Sequence, residues 1–205
     1  MTIKQIKVGY NNFTYIIYDQ VNKKATIVDP GFDSSKTLSF ILSNNLDLEY
    51  IILTHYHSDH TSSSKKIINE YPNSKVITSK LDSSKLCLKI EKFVDDKSKL
   101  SLGNITLDFL LTPGHTPGSI CIIVDNKAIL TGDTLFIGDC GRADLPGGSV
   151  SDLFNSIQRI KKLPDSLIVY PGHDYGSIPF DSLKNQKKTN KTLIAKTLND
   201  FSKIP

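Results

Sequence analysis

A chain of 205 residues is long enough to bury one sizeable core and short for two, so a single domain over 1–205 is expected. Its residues are 39% hydrophobic and 22% charged, and no apolar run approaches the roughly 18 residues of a membrane span, so a soluble protein without a membrane partner is expected. The net charge of +4 is carried by lysine, with Arg142 and Arg159 the only arginines; this argues against a nucleic-acid partner, whose recognition leans on bidentate and stacking arginine contacts.

The N-terminal stretch MTIKQIKVGYNNF alternates and lacks an apolar h-region or a small-residue cleavage site, so it reads as a first strand and not as a signal. FTYIIYD and KATIVDP follow as strands, with Asp29-Pro30-Gly31 as a turn. A helical pattern covers 34–45, and YIILTHYH (50–57) is an apolar, β-branched run ending in histidines. A second helical pattern covers 62–71. LDFLLTPGH (107–115), AILTGD (128–133) and SLIVYPGH (166–173) repeat the design of a buried strand that ends in a polar group. Between the last two, Leu153, Phe154, Ile157 and Ile160 recur at helical spacing over 150–163, after a Gly-Gly stop and a Ser/Asp cap. From Lys184 to Lys203 lysines gather on an expected helical tail, about 180–205. A solvated helix face explains them; the sharper reading is a patch for an anionic substrate such as a glutathione or coenzyme A conjugate. Cys87, Cys121 and Cys140 are widely spaced and form no C-x-x-C, which suggests a reducing, cytoplasmic setting.

All five histidines of the chain, His55, His57, His60, His115 and His173, fall in these strand-end loops beside Gly, Pro, Asp or Thr. Imidazoles and carboxylates concentrated in this way are the expected composition of a zinc or iron site. In an extended segment residues two apart point the same way, so His55 and His57 can grip one ion. The chain then turns in a loop, and Asp59 and His60 can face a second ion. His115 could complete the first set and His173 the second, while the two oxygens of Asp133 could bridge the ions. H-E-x-x-H sites differ, since their ligands stand one helical turn apart.

At THYHSDH, PGHTPGS, TGDTLF and YPGHDYG, which span Thr54 to Gly176, the sequence resembles the metallo-β-lactamase superfamily. The resemblance implies a mixed α/β fold, an αββα sandwich of two facing sheets with helices outside and the metal site on one rim. Within the superfamily the chain looks like the glyoxalase II and persulfide dioxygenase branch. True β-lactamases typically place a cysteine where this chain has Asp133. The leading expectation is two divalent ions, zinc first and iron as the alternative, hydrolysing a thioester of the S-acylglutathione type through a metal-bound hydroxide that Asp59, itself a ligand, orients. A thiolate leaving group, with a conjugate-acid pKa near 8.5, needs no strong general acid.

The rival on the same scaffold is a persulfide dioxygenase acting on a thiol substrate, where the resemblance implies a single ferrous ion on His55, His115 and Asp133, a facial triad with open positions. LFIGDCGRADLPGGS (135–149) carries a Cys-Gly-Arg-x-Asp element like the dioxygenases, and the 32 residues after His173 leave little of the C-terminal helical region of glyoxalase II. A nuclease of the same superfamily ranks last, because no inserted RNA-binding arm fits. Arg142 could hold a substrate carboxylate or simply pair with Asp144; Tyr175 could line the pocket or pack. Cys140 is read as a packing residue, since all five histidines are claimed as ligands and none is left to activate it. Gly114, Pro117 and Gly172 are read as turn formers.

Overall fold

A computed structural model describes residues 1–204. Among the described residues twelve strands form two six-stranded sheets. The first sheet takes β1 (Thr2–Val8), β2 (Asn12–Tyr18), β3 (Lys24–Val28), β4 (Asp47–Ile52), β5 (Lys75–Ser79) and β6 (Lys92–Val94) in chain order. The second runs β12 (Asp181–Ser182), β11 (Ile168–Pro171), β10 (Ala128–Gly132), β9 (Ile120–Val124), β8 (Ile105–Leu111) and β7 (Lys99–Leu102). Helices α1 (Ser35–Ser43), α2 (Ser58–Thr61), α3 (Ser64–Glu70) and α4 (Lys80–Ser83) fall within the first half; α5 (Val150–Lys161), α6 (Leu183–Thr189), α7 (Lys191–Ile194) and α8 (Leu198–Phe201) close the chain.

Strand periodicity sorts the side chains into three apolar layers, because alternate residues of a strand face opposite sides of its sheet. Phe13, Tyr15 and Ile17 of β2 meet Phe109, Ile122 and Leu130 between the sheets. The opposite face of the first sheet, with Ile16, Ile27 and Ile51, packs on Ile41 of α1 and Ile67 of α3. On the second sheet Cys121, Ile129 and Val169 pack on Leu153, Ile157 and Ile160 of α5 and on Leu193 and Phe201 of the tail. The result is the four-layer αββα order. Fully burying one such aliphatic side chain is worth about 1.5–3 kcal/mol.

Strands β5, β6, β7, β9 and β12 lie outside the runs singled out in the sequence. Three of them are only two to four residues long, too short for periodicity to register. The lysine-rich tail is not one helix. It breaks at Asn190, whose buried amide donates to the carbonyls of Phe136 and Asp139 at 3.0 Å and whose Oδ1 caps α7 through Thr192 N at 2.9 Å. That polar anchor makes residue 190 extended, so the helical spacing of the lysines is lost there.

Candidate metal centre

The loops that follow β4, β8, β10 and β11 open at one rim of the sandwich, and each carries candidate ligands. Backbone hydrogen bonds clamp the sheets together there: Ile120 N donates to Thr54 O at 2.9 Å, Phe13 N to Gly172 O at 2.8 Å and Asp174 N to Asn11 O at 2.7 Å. Gly172 is required for close approach, since a Cβ at that position would run into Oδ1 of Asp133.

Three side-chain groups offer their ligand atoms within 4.8 Å of one another: His55, His57 and His115; Asp59, His60 and His173; and Asp29, His55 and His60. The first two are the sets read from the sequence. His57 turns its Nδ1 to within 2.9 Å of His115 Nε2. Across the site, His60 Nε2 lies 3.1 Å from His173 Nε2 and 3.4 Å from Asp59 Oδ2. Asp133 stands between the triads, with Oδ1 3.3 Å from His60 Nε2 and Oδ2 3.1 Å from His173 Nε2 and 3.6 Å from His115 Nε2. Four donors at about 2.1 Å around a tetrahedral zinc stand about 3.4 Å apart, which is the scale of these separations. Two buried atoms aimed at this centre, His55 Nε2 and Asp133 Oδ1, have no hydrogen-bond partner among the described residues. Unpartnered buried polar atoms are costly, and here a cation would satisfy them, so the residues fit two divalent ions.

Asp59 and His60 do not sit in an irregular loop. His57 is extended, with φ −61° and ψ 143°, and Ser58–Thr61 then form the single helical turn α2. The switch from extended to helical backbone is what swings Asp59 and His60 away from the direction of His55 and His57 toward the second set.

Partners behind the candidate ligands orient them, as metal-bound imidazoles would require. His115 Nδ1 donates to Arg142 O at 2.7 Å, and His60 Nδ1 donates to Asp29 Oδ2 at 3.1 Å. Asp29 also accepts Thr54 N at 2.7 Å and the Thr54 hydroxyl at 2.6 Å. Asn12 Nδ2 donates to Asp59 Oδ2 at 2.8 Å. Neither Asp29 nor Asn12 is a candidate ligand on the sequence, where Asp29 reads as the start of a turn. Asp29 ends the apolar run KATIV as Asp133 ends AILTG, so the strand-end rule itself could have found it behind its turn-like Asp-Pro-Gly. Asn12, inside GYNNF, offers no local signal.

Burial pushes His55 well below the usual histidine value, with His60 adding to the effect, so it stays neutral. Burial would also lower His60, but Asp133, Asp29 and Asp59 outweigh it and raise His60 well above that value in the metal-free protein. For Asp59 and Asp133 burial works against ionisation; the charge of His60 beside both carboxylates, with the Asn12 hydrogen bond to Asp59 and His173 at 3.1 Å from Asp133, holds them ionised.

The pocket in front of the centre measures about 570 Å³, and its lining includes Phe136, Ile137, Leu145, Arg142 and Tyr175. Arg142 forms a bidentate pair with Asp144, Nε to Oδ1 at 2.6 Å and Nη2 to Oδ2 at 2.7 Å, so the ion-pair alternative is realised at the pocket wall. Tyr175 both packs and lines: its ring stacks on His173 at 4.7 Å and 4°, and the residue is 58% exposed. Cys140 also lines the pocket, but burial pushes its thiol up to about 12 and its Sγ donates to Gly141 O, which suits a packing role. Among the described residues no helix is long and apolar enough to cross a membrane.

The family model described as the Metallo-beta-lactamase superfamily matches residues 7–173. The chain is 35% identical over 185 residues to the Probable polyketide biosynthesis zinc-dependent hydrolase PksB of Bacillus subtilis (strain 168), covering 89% of this chain and 81% of that one. It is 33% identical over 176 residues to the Hydroxyacylglutathione hydrolase of Pelagibacter ubique, covering 85% and 72%, and 30% identical over 195 residues to the human mitochondrial Persulfide dioxygenase ETHE1, covering 94% and 75%. The crystal structure of ETHE1 from Myxococcus xanthus superposes with a TM-score of 0.88 at 29% identity, covering 98% of this chain and 88% of that one.

Proposed function

Since the chain belongs to the metallo-beta-lactamase superfamily, we propose that it is a two-metal hydrolase acting on a thioester of the S-acylglutathione type. The observation that carries this reading is Asp133 between two complete triads, because a single iron on His55, His115 and Asp133 would leave Asp59, His60 and His173 without an ion. Ions held there would supply a water deprotonated near neutral pH and Lewis-acid polarisation of the scissile carbonyl. Asp59, kept ionised and pinned by Asn12, serves as a ligand and offers its carboxylate to orient the attacking water. His57 and His115 hold one side of the carbonyl's approach and Asp133 sets the spacing between the two sides. Phe136, Ile137 and Leu145 give the acyl group an apolar wall. The departing thiolate needs no protonation to leave, which suits a pocket whose one thiol, Cys140, is held far above neutrality. Arg142 and Tyr175 stand at the mouth, where the thiol carrier would lie.

A second reading is favoured by one observation, the similarity to human and bacterial ETHE1 over 94% and 98% of this chain. It places a ferrous ion on His55, His115 and Asp133 and a glutathione persulfide in the same pocket. Zinc-loaded protein should release free thiol from S-lactoylglutathione and from thioesters of other thiols. Oxygen uptake with sulfite formation, from anaerobically iron-loaded protein given glutathione persulfide, with no thioester cleaved, would replace the hydrolase by the dioxygenase.

A further inference from the structure

Asp82 belongs to neither ligand triad, yet it is fully buried and its carboxylate reaches both loops that carry the first one. It sits in α4, the single turn after β5, where the Ser79 hydroxyl accepts from Asp82 N. Oδ1 accepts Gly118 N at 2.7 Å; Oδ2 accepts the Thr116 hydroxyl at 2.7 Å and Tyr56 N at 3.2 Å. Tyr56 lies between His55 and His57, and Thr116 follows His115. One carboxylate thus ties the loop after β4 to the loop after β8, next to all three ligands of the first triad.

Burial pushes the Asp82 carboxyl above the usual range, and Thr116, Gly118 and Tyr56 pull it back. A neutral side chain would avoid that desolvation, but it could not accept from three converging donors. Gly118 shows how tightly the parts are fitted, since a Cβ there would come within 2.6 Å of Asp82 N. The second triad is anchored elsewhere: Asp59 by Asn12, His60 by Asp29, and His173 through its backbone bridge to Asn12.

We propose that Asp82 is a positioning residue for the first metal site, holding His57 against His115 and thereby tuning the affinity of that site and not of the second. The inference rests on the two-ion reading above. Asp82→Asn keeps the shape but leaves one acceptor oxygen for three donors; Thr116→Val, which removes one donor, is the milder companion should the first variant fold poorly. The probe is zinc, titrated into full-length protein against a chromophoric chelator. In a His173→Ala background, where the first triad alone is complete, Asp82→Asn should lower the zinc affinity by roughly 10- to 100-fold, as loss of an orienting partner does. In a His115→Ala background, where the second triad alone is complete, it should leave the affinity within about twofold of its parent. Thr116→Val should follow the same pattern with a smaller factor. A merely structural role would lower both affinities alike, and that result, or no loss in either background, overturns the proposal. Wild-type protein that binds fewer than two zinc ions would overturn the two-ion reading and this inference together.

Discussion

Asp29→Asn tests the support of the second ion. The residue is 2% exposed and sits at φ +52°, a left-handed conformation that Asn tolerates as Asp does, so the substitution adds no backbone cost. Its Oδ1 accepts Thr54 N, while Oδ2 accepts both the Thr54 hydroxyl and His60 Nδ1. In the variant the amide oxygen keeps Thr54 N. The new NH2 group faces Thr54 Oγ1, which can turn and accept, and His60 Nδ1–H, which cannot. His60 then relieves the clash by moving its proton to Nε2, the atom that should meet the ion. One hydrogen bond to a charged partner is worth about 1.5–3 kcal/mol, and each 1.4 kcal/mol is tenfold in affinity, so the second zinc constant should weaken by roughly 10- to 100-fold. His55 Nδ1 keeps Thr54 Oγ1 at 3.1 Å, and the first constant should hold within about threefold by the same arithmetic. Competition titration against a chelator reads both. A folded variant whose second constant is unchanged, or whose first constant is the one that falls, refutes the reasoning.

Three further outcomes follow from the same geometry. The raised His60 pKa means that, in the metal-free protein, an imidazolium still persists above pH 6.5 and must lose its Nε2 proton before that atom can ligate. Zinc affinity should therefore fall as pH falls, and calorimetry at pH 7.5 in buffers of different ionisation enthalpy should show proton release on binding; no release would contradict it. Burial raises the Cys121 and Cys140 thiols to about 11 and about 12, whereas Cys87 is exposed and free, so a neutral-pH thiol reagent should label Cys87 in the native protein and the other two only after unfolding. Chelation should lower the melting temperature while leaving the fold formed, because the three apolar layers do not depend on the ions; each ion at 100 times its Kd adds about 2.7 kcal/mol, and a melting temperature unmoved by chelator would sink this.

The convergence of the candidate ligands was legible in the sequence, because a metal site would need a small set of side chains and strand ends advertise where they stand. His55, His57, Asp59, His60, His115, Asp133 and His173 are all brought to one rim. The groups behind them were harder to see, for different reasons. Asn12 and Asp82 act through contacts 47 and 26 to 36 residues away in sequence, and neither SKLDSSK nor GYNNF has a local pattern that announces such a partner. Asp29 looked like a turn because Asp-Pro-Gly usually is one. The helical turn of α2 was hidden because four residues are too few for periodicity, and the broken tail was hidden because Asn190 is read by carbonyls more than 50 residues upstream.

The most direct test of the two-metal thioester hydrolase is to titrate zinc into metal-free protein and measure, on the same samples, bound metal and thiol released from S-lactoylglutathione. The account expects thiol release to rise with the second ion bound and to plateau when both sites are full. Two ions bound with no thiol released from S-lactoylglutathione or any other thioester tried would contradict it.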